Sequence, residues 1–245
     1  MFLLVAAMMM MNLSCSKEEL EYRTGNLSVC IEAGDEWLHD YPLFLGINKK
    51  NPPQIAIWLE DVDGRYLTTL YASKKIATRS WVSAHSNPRN EALPYWSHRC
   101  KELPLTDGMT GATPRNSFDA RMHDKVGLRQ FRVMIEVNHS IDWNDAYPEN
   151  AKTGDANYSG GDEGSGQPAL VYGIDVDLDS DRNTFEAFLI GHSSPDGTDG
   201  EIHHDMDGIT SALNIVKRIT VSTKKNGTQG SVTNITKPIL QEKKL

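Results

Sequence analysis

Two apolar runs separated by an acidic turn constrain this chain more than any other feature. Ile55-Ala56-Ile57-Trp58-Leu59 and Tyr66-Leu67-Thr68-Thr69-Leu70-Tyr71 are strand-length and rich in β-branched and aromatic side chains, and Asp61-Val62-Asp63-Gly64 between them is a hairpin signal. The same character recurs along the chain. Leu27–Ile31 and Phe131–Val137 alternate apolar and polar residues, as half-buried strands do. Ala169–Leu178 resumes it, with Leu170, Tyr172, Ile174 and Val176 on one face and Asp175, Asp177 and Asp179 on a wet one. Thr184–Ile190 reads as a further strand and Val221 opens a last one; apolar spacing over Ile209–Ile219 suits a helix or a strand equally.

Between the strands lie an aromatic-rich connection at 37–44, a Pro-broken stretch at 72–100 that reads as irregular or short-stranded, and two polar segments at 138–167 and 191–208. A segment near thirty residues without periodicity is often functional or mobile. With no long amphipathic helix and no strand–helix alternation, the expected fold is an all-β, immunoglobulin-like sandwich with long polar loops, not a nucleotide-binding α/β fold. One such domain is expected over 27–222, followed by a polar tail at 223–245.

The chain of 245 residues carries a net charge of −8, and its basic residues do not gather into one block; Lys224-Lys225 and Lys243-Lys244 lie in the tail. A sequence-independent grip on nucleic-acid phosphates is therefore not expected. Gly191-His192-Ser193-Ser194 is not a nucleophile elbow, and no Ser–His–Asp order suggests hydrolysis. The expectation is a carrier or a binding protein with no substrate turnover of its own.

Residues 1–14 carry no charge and are mostly apolar, too short a run to span a bilayer but the length of a signal-peptide core. The run ends at Leu13-Ser14-Cys15, which resembles the lipobox of bacterial lipoproteins, with Asn12 as a departure from it. The following Ser16-Lys17-Glu18-Glu19 looks like the acidic export signal of surface lipoproteins of the Bacteroidetes type. The implication is a lipid anchor on Cys15, a linker at 15–26 and a place in the periplasm or on the cell surface. Cys30 and Cys100 then remain, as a disulfide or as two buried thiols; an oxidising compartment permits either.

The stretch Asp107-Gly108-Met109-Thr110-Gly111-Ala112-Thr113 lies between Pro104 and Pro114 and has the local signs of an exposed loop, with Asp-Gly and Thr-Gly turn dipeptides. It offers one hydroxyl, Thr113, beside two of the smallest residues, so that another protein's active site can approach the backbone. The stretch resembles the flavinylation signature Asp-x-x-Ser/Thr-Gly-Ala-Thr/Ser, through which FAD:protein FMN transferases join FMN by a phosphoester to the final hydroxyl. Asp107, Thr110, Gly111, Ala112 and Thr113 match all five specified positions. Average residue frequencies make such a match a chance event of roughly one in several hundred to a thousand chains of this length. The resemblance implies FMN on Thr113, with Asp107 orienting the segment or meeting the transferase's metal.

A wider set of segments points the same way. Ile55–Asp61, Tyr95-Trp96-Ser97, 107–114, Glu136-Val137-Asn138-His139-Ser140, Asn157-Tyr158-Ser159-Gly160, Gly166–Tyr172 and Gly191-His192-Ser193 occur in that order. Together they are similar to the periplasmic family catalogued as domain of unknown function twenty-two seventy-one, over about residues 27–222. That family's neighbourhood of flavin transferases and PepSY-type membrane proteins implies extracytoplasmic electron traffic with a membrane redox partner.

Other residues compete for a function. His203 and His204, with His139 and His192 from other segments, are candidate metal ligands, although neighbours in a strand rarely face one ion. Asp196, Asp199 and Glu201 sit in an acidic, turn-rich stretch of the kind that holds calcium, without the spacing of an EF-hand. Trp81, Tyr95, Trp96 and Trp143 are aromatics for stacking on a sugar or a flavin ring, or for a core. These features leave open a second expectation, a sugar- or calcium-binding or structural surface lipoprotein in which the 107–113 match is incidental.

Overall fold

The computed structural model describes residues 18–22, 26–42, 47–78, 89–100, 108–122 and 127–223, with side chains from 26 onward. The expected signal peptide, Cys15, Asp107, Trp81 and the tail beyond Thr223 lie outside the described residues.

The hairpin forms as the sequence predicts. β5 (Gln54–Glu60) pairs antiparallel with β6 (Tyr66–Ser73). The turn is closed by Asp61, whose Oδ1 accepts the amides of Asp63 and Arg65 at 3.0 and 2.9 Å, with Gly64 at φ +79°. Around it grows a six-stranded sheet in the order β12 (Phe188–His192), β10 (Leu170–Asp177), β9 (Gln130–Asn138), β5, β6, β7 (Met109–Gly111). A five-stranded sheet runs β1 (Glu18–Tyr22), β8 (Phe118–Met122), β2 (Leu27–Ala33), β13 (Val216–Thr223), β11 (Thr184–Glu186). β3 (His39–Pro42) and β4 (Asn48–Asn51) form a separate ribbon. The sheets are antiparallel except at two edges, where β1 follows β8 and β7 follows β6 in parallel.

This is the all-β sandwich expected. Ile55, Ile57, Phe131, Val133, Ile135, Leu170 and Val176 of one sheet face Val29, Ile31, Phe118, Ile219 and Val221 of the other in one buried core. The larger sheet is covered on its outer face too. The short helix α2 (Pro94–Arg99) and the residues before it lay Leu93, Tyr95 and Trp96 over Ala56, Trp58, Met134 and Val171. Two-sided burial explains why β5 is apolar at every position from Ile55 to Leu59 while the strands of the smaller sheet alternate. It also settles Tyr95 and Trp96 as core, whereas Trp143 is half-buried.

Several expectations need correction. The segment 15–26 is not all linker, because Glu18–Tyr22 adds an edge strand to the smaller sheet. Thr184–Ile190 is two strands: β11 pairs with β13, the chain crosses at Ala187, and β12 pairs with β10 in the other sheet. The ambiguous run at 209–219 is both, a 3-10 turn at Ser211–Asn214 and then β13. The stretch 72–100 holds the end of β6, helix α1 (Lys74–Thr78) and α2. Cys30, on β2, and the buried Cys100, at the end of α2, are thiols rather than a disulfide.

The polar segment after β9 is pinned along its length. Ile141 and Asp142 donate their amides to Gly164 O and Ser165 O at 2.8 Å, and Gln167 N returns to Asp142 O at 2.9 Å. Gly166 stands at φ +77° where a Cβ would lie 2.3 Å from Asp142 O, so only glycine fits. Asn138 closes the base, donating to Gln167 O at 3.1 Å and accepting from Ser165 Oγ at 2.8 Å.

Candidate functional site

Thr113 is not on a free loop. Met109, Thr110 and Gly111 extend the larger sheet beside Tyr71, Ala72 and Ser73, and Thr113 itself is 8 % exposed. Its Oγ1 lies 2.7 Å from Ser73 Oγ, which also accepts the amide of Ile55 at 2.8 Å. Pro114 is fixed on the other side, its carbonyl accepting Trp37 Nε1–H at 3.0 Å. The expected exposure therefore holds for Thr110 and Ala112 but not for Thr113.

Thr113 is nevertheless not enclosed. It lines an open cleft of about 410 Å³ with Gly111, Ala112, Ser73, Gln54 and four cations, Lys49, Lys74, Lys75 and Arg115. Among the described residues Lys49, Lys74 and Lys75 make no ion pair, whereas the neighbouring Lys50 pairs with Asp40. In a chain of net charge −8 this concentrates positive charge on one small area. Crowding by protein pushes the Lys75 ammonium below its ordinary value, and Arg89 and Lys49 add to that. A Cβ built on Gly111 meets nothing within 4 Å, while one on Gly108 would press on Thr69 O at 3.0 Å. A side chain at Gly108 would crowd Thr69, whereas Gly111 opens onto free space. Asp107 lies outside the described residues, and Thr110 is not on the cleft wall.

A second chamber of about 170 Å³ adjoins the cleft and shares Lys49, Asn51, Pro52, Gln54 and Lys75 with it. Its far wall holds His39 and His139, with ring centroids 5.1 Å apart, and Asn138 and Ser140. Burial drives the His139 imidazole down to about 3, and the nearby His39 adds to the effect, so His139 is neutral at physiological pH. Gln54 Oε1 is buried and has no hydrogen-bond partner among the described residues. An orphaned acceptor of this kind calls for an explanation.

The other candidates resolve into structure. Asp196 Oδ1 accepts the amide and hydroxyl of Thr198 at 3.0 and 2.8 Å, and Asp199 Oδ1 accepts the amide of Glu201 at 3.0 Å. These acids make turns. His203 bridges to His192 through backbone bonds and stacks on its ring at 5.4 Å, its Nε2 3.3 Å from Asp199. His204 is exposed, its Nδ1 3.0 Å from Ile190 O. Among the described residues no three His, Cys, Asp or Glu side chains are grouped to hold a metal ion.

Two buried polar centres had no signal in the sequence. Glu136, fully buried on β9, accepts the amides of Tyr95 and Trp96 at 3.2 and 2.8 Å and so fixes α2 to the sheet; burial raises its carboxyl to about 7. Arg89 and Glu91 form a buried ion pair at 2.7 Å, and Arg89 also reaches Ser140 and Ser165. The Gln54–Ser73–Thr113 grouping was equally hidden, because nineteen and forty residues separate its members and only sheet pairing brings them together. The Lys49-Lys50 and Lys74-Lys75 dipeptides were the available hint of its charge. Comparison with protein-family models, curated proteins and solved structures finds no match to this chain.

Proposed function

We propose that the protein is an extracytoplasmic lipoprotein that carries FMN esterified to Thr113 and passes electrons to or from a PepSY-type membrane redox partner. The observation that carries this reading is the placement of the last hydroxyl of the Asp107–Thr113 signature on the wall of a cationic cleft. A phosphodiester there keeps a negative charge, and Lys49, Lys74, Lys75 and Arg115, all at exposed positions, line the same cleft with opposite charge. The donor set suits a phosphate. Bound FMN supplies one- and two-electron chemistry that the side chains lack. The chain's contribution is to hold, orient and electrostatically bias it.

Attachment joins the FMN half of FAD to Thr113 Oγ1, breaks the pyrophosphate bond, releases AMP and passes the hydroxyl proton to the transferase. With Thr113 largely covered, the transferase needs β7 to lift. The strand is three residues long, at a sheet edge, and held by one parallel partner. Edges of this kind open locally at a fraction of the global unfolding free energy. A signal peptide at 1–14 and a lipid on Cys15 place the carrier at a membrane surface outside the cytoplasm, where a covalent tether prevents loss of the flavin.

The test is intact mass after co-expression with an FAD:protein FMN transferase. One FMN adduct is expected, retained in Thr113→Ser and lost in Thr113→Ala. A bare protein beside a control substrate that the same transferase modifies overturns the reading.

A further inference from the structure

Exposed cations gather at one end of a chain whose net charge is −8. Lys49, Lys74, Lys75 and Arg115 line the Thr113 cleft, and no acidic side chain lines it among the described residues. Lys50 stands next to them, 3.4 Å from Asp40 in an exposed pair of the kind that opens at little cost. Three segments assemble the patch. Lys49 and Lys50 come from β4, and Lys74 and Lys75 open α1. Arg115 ties the third segment to the ribbon, donating from Nη1 to Lys50 O at 2.7 Å. Ile47, directly before β4, adds an apolar side chain that is 55 % exposed.

The register of β1 decides where the start of the chain meets this patch. β1 runs parallel to β8 with Glu18 beside Phe118, so it enters the smaller sheet at the end of β8 that follows Arg115. The ring of Tyr71 on β6 lies 6.2 Å from that of Phe118, so β6 covers β8. β11 and β12, consecutive through Ala187, close one side of the sandwich, and the opposite edges, β1 and β7, share the other side. Cys15 precedes Glu18 by three residues, which span at most about 10 Å. A lipid on Cys15 therefore holds a membrane within reach of the end that carries Arg115 and the cleft.

We infer that the face formed by Lys49, Lys50, Lys74, Lys75 and Arg115 docks on an anionic phospholipid surface, the headgroup layer of the membrane that anchors the chain. The inference rests on the reading of Cys15 as the lipid anchor. A tether alone limits distance and leaves the domain free to turn, whereas a tether with a basic face also sets its orientation. Each cation at an anionic surface strengthens partition several-fold. A phosphodiester on Thr113 cancels one of the four cleft charges and leaves the face cationic. Docked this way, the protein turns its Thr113 end toward a membrane redox partner.

The mature acylated chain is reconstituted in vesicles of phosphatidylcholine alone or mixed with phosphatidylglycerol, and its lysines are labelled with a water-soluble acylating reagent. Labelling of Lys49, Lys74 and Lys75 is expected to be about fivefold slower on the anionic vesicles, with the difference closing in high salt. Lys217 is exposed on β13, three strands from β1 and so roughly 14 Å away, and is expected to change little. Combining Lys74→Gln with Lys75→Gln, both at exposed positions, is expected to reduce the slowing at Lys49 to about twofold. Equal labelling on the two vesicles overturns the docking face, as does equal slowing at Lys217 or a Lys49 rate indifferent to the double variant. Intact mass reports the anchor separately. A chain without an acyl group that shows the same anionic-lipid dependence when mixed with the vesicles upholds the face and overturns the anchor alone.

Discussion

Ser73 Oγ and Thr113 Oγ1 lie 2.7 Å apart, and through that contact the end of β6 fixes the residue following β7. The serine oxygen also holds the amide of Ile55, so three segments meet on one atom. Ser73→Ala leaves a buried N–H unsatisfied, at a cost of about 1–3 kcal/mol. Thr113→Val keeps shape and leaves Ser73 its bond to Ile55, so it is expected to cost less, about 0.5–1.5 kcal/mol. Urea denaturation of the two variants checks the order; a larger loss in Thr113→Val would show that Thr113, not Ser73, is the hub.

Trp37 fixes the same segment from the opposite side. Its indole N–H reaches Pro114 O, and its ring packs 6.1 Å from Phe118 in the core. Trp37→Phe retains most of the packing and removes the donor, costing about 1–2 kcal/mol. The effect should be concentrated locally, as faster hydrogen exchange at Met109–Thr113 with little change along β9 beyond the global loss. If β7 must lift for the transferase, this variant is also modified faster than the wild type. Uniform loss of protection across both sheets would contradict a local role.

The buried Arg89–Glu91 pair predicts an asymmetry between single and double variants. Arg89→Met leaves the Glu91 carboxylate buried without its partner and removes the guanidinium's bonds to Ser140 and Ser165, costing about 3–5 kcal/mol. Combining it with Glu91→Leu removes the uncompensated charge and is expected to recover more than half of that loss. Additive single-variant losses in equilibrium unfolding would show that the pair is not energetically coupled.

What could be read from the sequence followed from local periodicity, and what could not followed from pairing. The β5–β6 hairpin and the alternation of β9 and β10 are written in consecutive residues, and they were sufficient for the sandwich. β7 is Met-Thr-Gly, with no alternation to read, and it is a strand only because β6 passes beside it. Prolines and turn dipeptides around it therefore suggested an open loop, and the burial of Thr113 was missed. The break between β11 and β12 is invisible for a related reason: Phe185 and Ala187 continue the alternation although the chain leaves β13 after Ala187 and joins the other sheet at Phe188. The turn-closing role of Asp196 and Asp199 was hidden because an acid that caps a turn and an acid that binds a cation look alike in one dimension. Gln54 gave no sign at all, since its distinction is the absence of a partner in three dimensions.

Glu136 and His139 stand three residues apart and carry opposite linkages to pH. Burial raises Glu136 from 4.5 to about 7, so the stability tied to its protonated form is complete below about 4.5 and is lost as pH rises toward 7. Burial lowers His139 from 6.5 to about 3, so the stability tied to its neutral form is complete above about 6.5 and is lost as pH falls toward 3. Between about pH 5 and 6.5, above the titration of ordinary carboxylates, the two slopes are each about 1.4 kcal/mol per pH unit and of opposite sign. They offset one another in the wild type, with Glu60, also raised by burial, adding to the Glu136 side. In Glu136→Gln the histidine is unmasked and stability climbs with pH across that window. In His139→Gln the carboxylate is unmasked and stability falls. Urea denaturation at several pH values, read as the difference between each variant and the wild type, separates these two groups from every other titration. Difference curves that stay flat for both variants would mean that neither group keeps its buried, shifted state in the folded protein.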